Sequence, residues 1–297
     1  MANETILVTG ATGKVGQRLV PRLLSWREPG DEIRVLVRTQ EAAERFAAAG
    51  AQTVVGDLTE AADRERALDG AALVVNVAAT FRGPAVTEAD MFAVNRDAAV
   101  ALARESAQAG IRRFVHTSTN LVYGPGRGRP VREDDELRAA GTGRYSAYPV
   151  SKRECEERLC ALSGETGLDI LTLRLSFVYG EGDPHIADIL PRYANAAAHE
   201  PMAMVHHADV AQGVHLAMRT LRPAGGGYRA YNICGDGVST VLELHELAGQ
   251  AMDLAAAGGR SVEDPWFGVP DTTRAYRELG FRPIYPSAKA AWRDGAL

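Results

Sequence analysis

The sequence predicts an α/β fold: a doubly wound parallel sheet carrying a smaller, mostly helical C-terminal lobe. Three observations predict it. Short apolar runs alternate with amphipathic, helix-patterned segments as far as about residue 175. The first apolar run passes through spaced glycines straight into a helical pattern. Beyond Gly180 the alternation gives way to short helical stretches and loops. Strands separated by helices of this length imply right-handed βαβ units and a parallel sheet covered on both faces.

Taken in order, Ile6 to Val8 is the first strand, and Val15, Leu19, Leu23 and Leu24 mark the apolar face of the first helix. Ile33 to Val37 is the second strand, Glu41 to Ala49 a helix ending at Gly50, and Gln52 to Val55 the third strand. Glu60 to Leu68 is helical, Leu73 to Val77 is the fourth strand, and Glu88 to Ala109 is a long helix ending at Gly110. Arg113 to Thr117 is the fifth strand. Gly124 to Gly143, rich in Gly, Pro, Arg and acidic residues, has no period and reads as a surface loop over the C-terminal edge of the sheet. Its charges, Arg127, Arg129, Arg132 and 133–136, read as a solvated face, with substrate contact as the other reading. Tyr148 to Glu165 is a helix and Ile170 to Leu175 the sixth strand. Short helices follow at Ile186 to Ala198, Asp209 to Arg219, Val241 to Met252 and Thr272 to Leu279, with loops at Pro223 to Gly227 and Gly258 to Pro270. Residues 1–175 therefore form the sheet domain, to which segments around 203–234 are expected to return. Residues 176–297 form mainly the lobe.

The chain's 297 residues suffice for one large domain or two modest ones, and its net charge of −5 argues against non-specific nucleic-acid binding. The cysteines, Cys155, Cys160 and Cys234, have no metal-type spacing and read as reduced thiols of a cytoplasmic protein. The chain enters a strand at once, so no signal peptide is expected, and no apolar run approaches the length of a membrane span. No metal site is expected.

Three motifs carry chemistry. The stretch TILVTGATGKVG places Gly10, Gly13 and Gly16 between strand and helix. Gly10 allows a sharp turn, Gly13 lets backbone N–H groups approach a pyrophosphate, and Gly16 lets the helix lie tightly on the strand. The helix N-terminus then offers unpaired donors and partial positive charge. The second motif is Tyr148 and Lys152, four residues apart on one helical face. An ammonium there favours phenolate, which makes Tyr148 a general acid or base for a carbonyl/alcohol pair. Lys152 is also placed to hold a cofactor ribose, while an ordinary surface Tyr–Lys pair is the alternative. The third is His116-Thr117-Ser118-Thr119 at the end of the fifth strand, where hydroxyls face the ligand crevice of such sheets or serve strand-end turn chemistry.

Together these motifs resemble the extended short-chain dehydrogenases/reductases, the family of NDP-sugar epimerases and dehydratases and of hydroxysteroid-type dehydrogenases. The carrying residues are TGATGKVG (9–16), Gly56-Asp57-Leu58, 76–79, Asn95, HTSTNLVYG (116–124), YPVSK (148–152), LRLSFVYGEGDP (173–184) and HHADVAQGV (206–214). The resemblance implies a Rossmann-type sheet domain. It implies that Thr12, Gly13, Lys14 and Val15, with the other glycines, bind pyrophosphate. Asp57 and Leu58 would flank the adenine, Val77, Ala78 and Ala79 would line the cofactor, and Asn95 would support that wall. Lys152 would bond the nicotinamide ribose and Tyr148 would be the acid/base. Thr119, counted back from Val-Tyr-Gly, would complete the triad, with Ser118 as the fallback. The family allows a homodimer, and a monomer is equally open.

After the second strand an acidic residue would select NAD through the ribose 2′-hydroxyl, but here the chain reads Leu36-Val37-Arg38-Thr39. A guanidinium suits a 2′-phosphate, so NADP(H) is the expected cofactor, with NAD(H) the other option. Two departures bear on the substrate. Phe177 stands where sugar-nucleotide enzymes carry the Asn of R-x-x-N, and the stretch from Gly180 to His206 is short. Losing polar diphosphate contacts suits an apolar ligand. The expected reaction is hydride transfer to the carbonyl of a bulky, largely apolar small molecule, with Phe177, Tyr179, His185, Ile186, Met202 and Met204 as candidate pocket residues. The alternative is an NDP-sugar epimerase, dehydratase or reductase using Arg192, Arg229 or Arg274. A non-catalytic redox-sensing regulator is less in keeping with an intact Tyr148/Lys152 pair. His206 and His207 read as structural, ahead of a helix capped by Asp209.

Overall fold

A computed structural model describes residues 3–81, 85–140, 147–221, 226–257 and 259–297. Parts of the loops expected at 124–143, 223–227 and 258–270 lie outside the described residues. The sheet half runs β1 (Thr5–Thr9), α1 (Gly16–Trp26), β2 (Glu32–Val37), α2 (Gln40–Ala48), β3 (Gln52–Val55), α3 (Ala61–Leu68) and β4 (Leu73–Asn76). It continues with α4 (Glu88–Phe92), a π-helical turn (Ala93–Ala98), α5 (Ala99–Gln108), β5 (Arg113–Thr119), α6 (Ala147–Thr166) and β6 (Asp169–Leu175). The remainder comprises β7 (Phe177–Tyr179), α7 (His185–Ile189), β8 (Pro201–Met202), β9 (Met204–His206) and α8 (His207–Thr220). After these come β10 (Tyr228–Ile233), β11 (Ser239–Thr240), α9 (Val241–Leu247), α10 (Leu254–Ala257) and α11 (Ala288–Arg293).

The main sheet has seven strands in the order β10-β6-β5-β4-β1-β2-β3, and every pairing in it is parallel. The order reverses between β1 and β4, and ligands bind at the carboxyl ends of strands at such a switch point. Burial on both faces explains the unbroken apolar strands. In β1, Ile6 and Val8 pack with Leu19 and Leu23 of α1 and Val210 and Val214 of α8, while Leu7 faces the other way into Leu102 of α5 and Leu159 of α6. Each such fully buried side chain contributes about 1.5–3 kcal/mol. Successive residues of one strand thus fasten helices on both sides, and the loops at the strand ends are held from both.

The structure adds a seventh strand that the pattern hides. β10 reads YRAYNI, and its polar residues break the apolar run; in the fold Arg229 pairs with Asp169 at 2.6 Å and Asn232 is fully buried. The helix expected at 186–198 stops after α7, where Pro191 opens a 3-10 turn (Leu190–Tyr193), because proline has no N–H for the helical ladder. That expected from Val241 ends at Leu247, two residues before Gly249 at φ +64°. The charges of the 124–140 loop are mostly exposed, as a solvated face implies, and are also paired: Arg129 with Asp135 and Arg132 with Asp271, while Glu133 is buried and accepts the Asn232 N–H at 2.9 Å. β7 pairs with β9 in a small parallel unit, and β8 with β11 in an antiparallel one.

Candidate active site

A cavity of about 1110 Å³ opens at the carboxyl ends of β1, β2, β4 and β5 and runs on into the lobe. It lies at the upper end of the ~300–1,000 Å³ range typical of ligand pockets. Gly10, Thr12, Gly13, Lys14, Val15 and Gly16 line one end. Gly10 has φ +72°, and a Cβ there would lie 2.5 Å from Ala78 Cα; a Cβ on Gly16 would collide with the Gly10 carbonyl oxygen. These two glycines are therefore steric necessities of the turn. A Cβ at Gly13 would meet only Gly10 O, at 3.3 Å, so its absence leaves room for a ligand rather than for the chain. Val15 at the N-cap of α1 makes no side-chain cap bond and the first turn holds no acid, whereas Thr39 and Thr87 cap α2 and α4. The donors of that first turn are thus not claimed by a side-chain cap, which suits an anionic pyrophosphate.

Arg38, Asp57, Leu58, Val77, Ala78 and Ala79 line the same end. Arg38 is exposed and makes no ion pair among the described residues. Asp57 Oδ1 accepts the Thr59 N–H and hydroxyl, which fixes the turn after β3. Asn95 is fully buried and does not line the cavity; it accepts the Thr80 N–H at 2.7 Å and donates to Thr80 O at 2.8 Å. It sits in the π-helical turn, whose extra residue per turn re-aims a side chain in the way such turns do at functional sites. Asn95 therefore supports the 77–81 wall from behind.

At the cavity's centre Thr119, Ser118, Tyr148 and Lys152 come together from β5 and α6. Lys152 is almost wholly buried and its Nζ donates to Thr117 O at 2.9 Å. Burial pushes its pKa down to about 8, with Cys155 and Glu156 opposing. The Tyr148 ring packs against Phe81 with centroids 4.4 Å apart. Thr119 Oγ1 accepts the Leu121 N–H at 3.3 Å, while the Ser118 hydroxyl is buried with no hydrogen-bond partner among the described residues. Beneath them the Thr9 hydroxyl donates to Asn76 Oδ1 at 2.6 Å, and Asn76 Nδ2 donates to His116 Nδ1 at 3.2 Å. That assigns the ring proton to Nε2, which faces Cys155 Sγ at 3.8 Å. Burial first, and then the Lys152 charge, hold the His116 pKa well below the usual histidine range, so the ring is neutral.

In the lobe, Phe177, His185 and Met202 line the cavity, with Phe177 stacked on His185 at 4.1 Å. Tyr179 and Met204, expected there, do not. Tyr179 follows Phe177 by two residues, but β7 leaves the cavity edge at Val178, so Tyr179 is buried with Met204 in the lobe core against Leu244 and Ala291. Ile186 also belongs to that core. Arg192, Arg229 and Arg274 stay outside the cavity lining. Lys14 lines the cavity, yet its ammonium is taken by Asp183 at 3.0 Å and Asp188 at 3.5 Å. Asp183 also meets His207 Nε2 at 2.9 Å, which ties the glycine loop to the lobe. His206, not Asp209, caps α8, by accepting the Ala208 N–H; Asp209 instead accepts the N–H groups of Ile284 and Tyr285. Sequence reasoning missed Tyr193, Asp264 and Phe267, which line the cavity from elements far apart in the chain and belong to no local motif. No described helix is long and apolar enough to cross a membrane, and no His, Cys, Asp and Glu group suited to a metal occurs among the described residues.

A glycine turn leading into a helix without a side-chain cap, with a Tyr/Lys pair and a hydroxyl further along one cleft, is an arrangement that can seat a dinucleotide pyrophosphate beside an acid/base pair. The chain belongs to the NAD dependent epimerase/dehydratase family, whose model matches residues 6–234. A 4-hydroxy-2-methyl-3-oxo-4-farnesyl-3,4-dihydroquinoline-1-oxide ketoreductase from Stigmatella aurantiaca is 29% identical over 223 residues, 71% of this chain and 63% of that protein. A 3-beta-hydroxysteroid dehydrogenase from Mycolicibacterium neoaurum is 33% identical over 185 residues, 60% of this chain and 48% of that protein. The chain thus spans about half to two thirds of these curated relatives. A dTDP-glucose 4,6-dehydratase from Streptomyces venezuelae, solved with NAD bound, superposes with a TM-score of 0.74 at 25% identity, covering 97% of this chain and 95% of that one.

Proposed function

We propose that this enzyme is an NADP(H)-dependent ketoreductase acting on a bulky, largely apolar ketone. The carrying observation is the make-up of the lobe end of the cavity. Phe177 lines it, stacked on His185, while Arg192, Arg229 and Arg274 are turned elsewhere. A dianionic sugar nucleotide needs cations or donors where Phe177 stands; an apolar ketone does not. The kinship with a ketoreductase and a hydroxysteroid dehydrogenase supports the same reading. The glycine loop and α1 would hold the pyrophosphate, Arg38 the 2′-phosphate and Lys152 the ribose. When bound, the nicotinamide supplies the hydride. Tyr148 gives its phenolic proton to the substrate oxygen, Thr119 donates to that oxygen as charge develops, and the Lys152 ammonium supports the phenolate left behind. The likeness to the dTDP-glucose dehydratase keeps a sugar-nucleotide enzyme as the second reading.

The test is turnover with added NADPH and a panel of ketones. Stoichiometric NADPH oxidation and alcohol formation are expected. A protein that copurifies with its cofactor, binds UDP or dTDP and shows no net oxidation overturns the reading. The cofactor assignment has its own test. Arg38→Asp removes the group offered to the 2′-phosphate and places a repelling charge there. The NADPH/NADH ratio of kcat/KM is expected to fall by about 10–100-fold, the worth of one charge-assisted hydrogen bond. An unchanged ratio rejects NADP(H) selection by Arg38.

A further inference from the structure

Residues 264–270 reach the cavity from the far C-terminal part of the chain. Phe267 lines the cavity and is nevertheless 45% exposed. Its segment is firmly tied. Asp264 accepts the N–H groups of Gly126 at 2.5 Å and Trp266 at 3.1 Å. The Val131 N–H donates to Val269 O at 2.9 Å, and the Asp271 N–H donates to Val131 O at 2.8 Å. Asn120 Nδ2 donates to Gly268 O at 2.5 Å, and Gly268 turns the chain at φ +68°. Asn120 directly follows Thr119, whose hydroxyl faces Asn120 Oδ1 at 3.4 Å. The carboxamide therefore fixes Phe267 in register with the hydroxyl end of β5. An aromatic ring carried on a backbone tied on both sides, partly in water, on the rim of a cavity with aromatic and thioether walls gains most from a flat apolar ligand.

We propose that Phe267 is a specificity-determining residue. It packs on the flat face of a polycyclic ketone, and Asn120 is the positioning residue that holds it there. The ketone as substrate rests on the function proposed above, while the packing itself is read by binding. Progesterone, a rigid flat ketone, is titrated calorimetrically into the full-length enzyme saturated with nicotinamide cofactor. Phe267→Ala is expected to weaken binding by about tenfold or more, as loss of one buried aromatic face implies. Phe267→Trp is expected to restore it, and the cofactor Kd is expected to stay at the wild-type value, which also shows that the variants are folded. Asn120→Ala, read in the same titration, is expected to weaken progesterone binding, and adding it to Phe267→Ala is expected to cost little more, because Asn120 acts through Phe267. Wild-type protein that shows no saturable progesterone binding, or Phe267→Ala that binds as tightly as wild type, overturns the proposal. Phe267-dependent binding without NADPH oxidation supports the packing role and rejects the reductase function instead.

Discussion

Tyr148→Phe is expected to lower kcat for carbonyl reduction by about 10²–10⁴ while leaving nicotinamide cofactor affinity unchanged. The substitution removes one oxygen and keeps the ring that packs on Phe81 at 4.4 Å, so the wall of the cleft survives and only the proton donor is lost. Single-turnover NADPH oxidation with a saturating ketone separates this from a binding defect; full kcat in the variant removes Tyr148 from the mechanism. The same site dictates a pH dependence. Burial pushes the Lys152 pKa down to about 8. Below that value Nζ is charged and supports the phenolate that forms as Tyr148 gives up its proton. As pH rises through about 8 the ammonium is lost, so kcat/KM for reduction is expected to fall on the alkaline side. His116 contributes no charge to this balance, because burial already keeps it neutral. A profile that stays flat through that range contradicts the role given to Lys152.

The sheet was legible in the sequence because burial on both faces leaves unbroken apolar strands, and because Gly10 and Gly16 stand where any side chain would strike backbone. The Tyr148/Lys152 pair was legible because helical spacing is local. What escaped was set by distant parts of the chain. β10 was hidden because Arg229 and Asn232 are polar in sequence; half-buried Arg229 finds its partner on β6, and Asn232 is buried through partners in the 131–133 loop. Apolar patterning marked Tyr179 and Met204 as buried without saying whether they face a cavity or a core; they face the core. Asp209 looked like a cap by position, but a histidine one turn earlier is nearer the free N–H, and the carboxylate is drawn to Ile284 and Tyr285. Phe267 belongs to no motif. Its place is fixed by Asn120 across 148 residues of chain, a separation no local pattern spans.

Glu156→Ala is expected to destabilise the protein by about 3–5 kcal/mol, the cost of stranding one member of a buried ion pair. Arg174 and Glu156 side chains are 4% and 1% exposed and meet at 2.7 Å. Arg174 also donates to the Tyr123 hydroxyl at 2.7 Å and to Glu133 O at 3.1 Å, while the Tyr228 hydroxyl donates to Glu156 at 2.9 Å. The Tyr123 hydroxyl passes on to Asn232 Oδ1 at 2.7 Å, so one pair links α6, β6, β10 and the 133 loop. Without Glu156 the guanidinium is left charged and without its carboxylate partner. Urea denaturation is expected to show a lower midpoint with an unchanged slope. The double variant Glu156→Leu/Arg174→Met removes both charges and keeps the volume, and is expected to recover most of the loss. A single variant within about 0.5 kcal/mol of wild type would show the pair to be energetically idle. Glu156 lies one helical turn beyond Lys152, which itself lies one turn beyond Tyr148, so the pair clamps the face of α6 that presents the acid/base. The double variant is therefore expected to regain stability before it regains kcat: a leucine fills the space, but it does not fix the rotation of α6 as a bidentate carboxylate does.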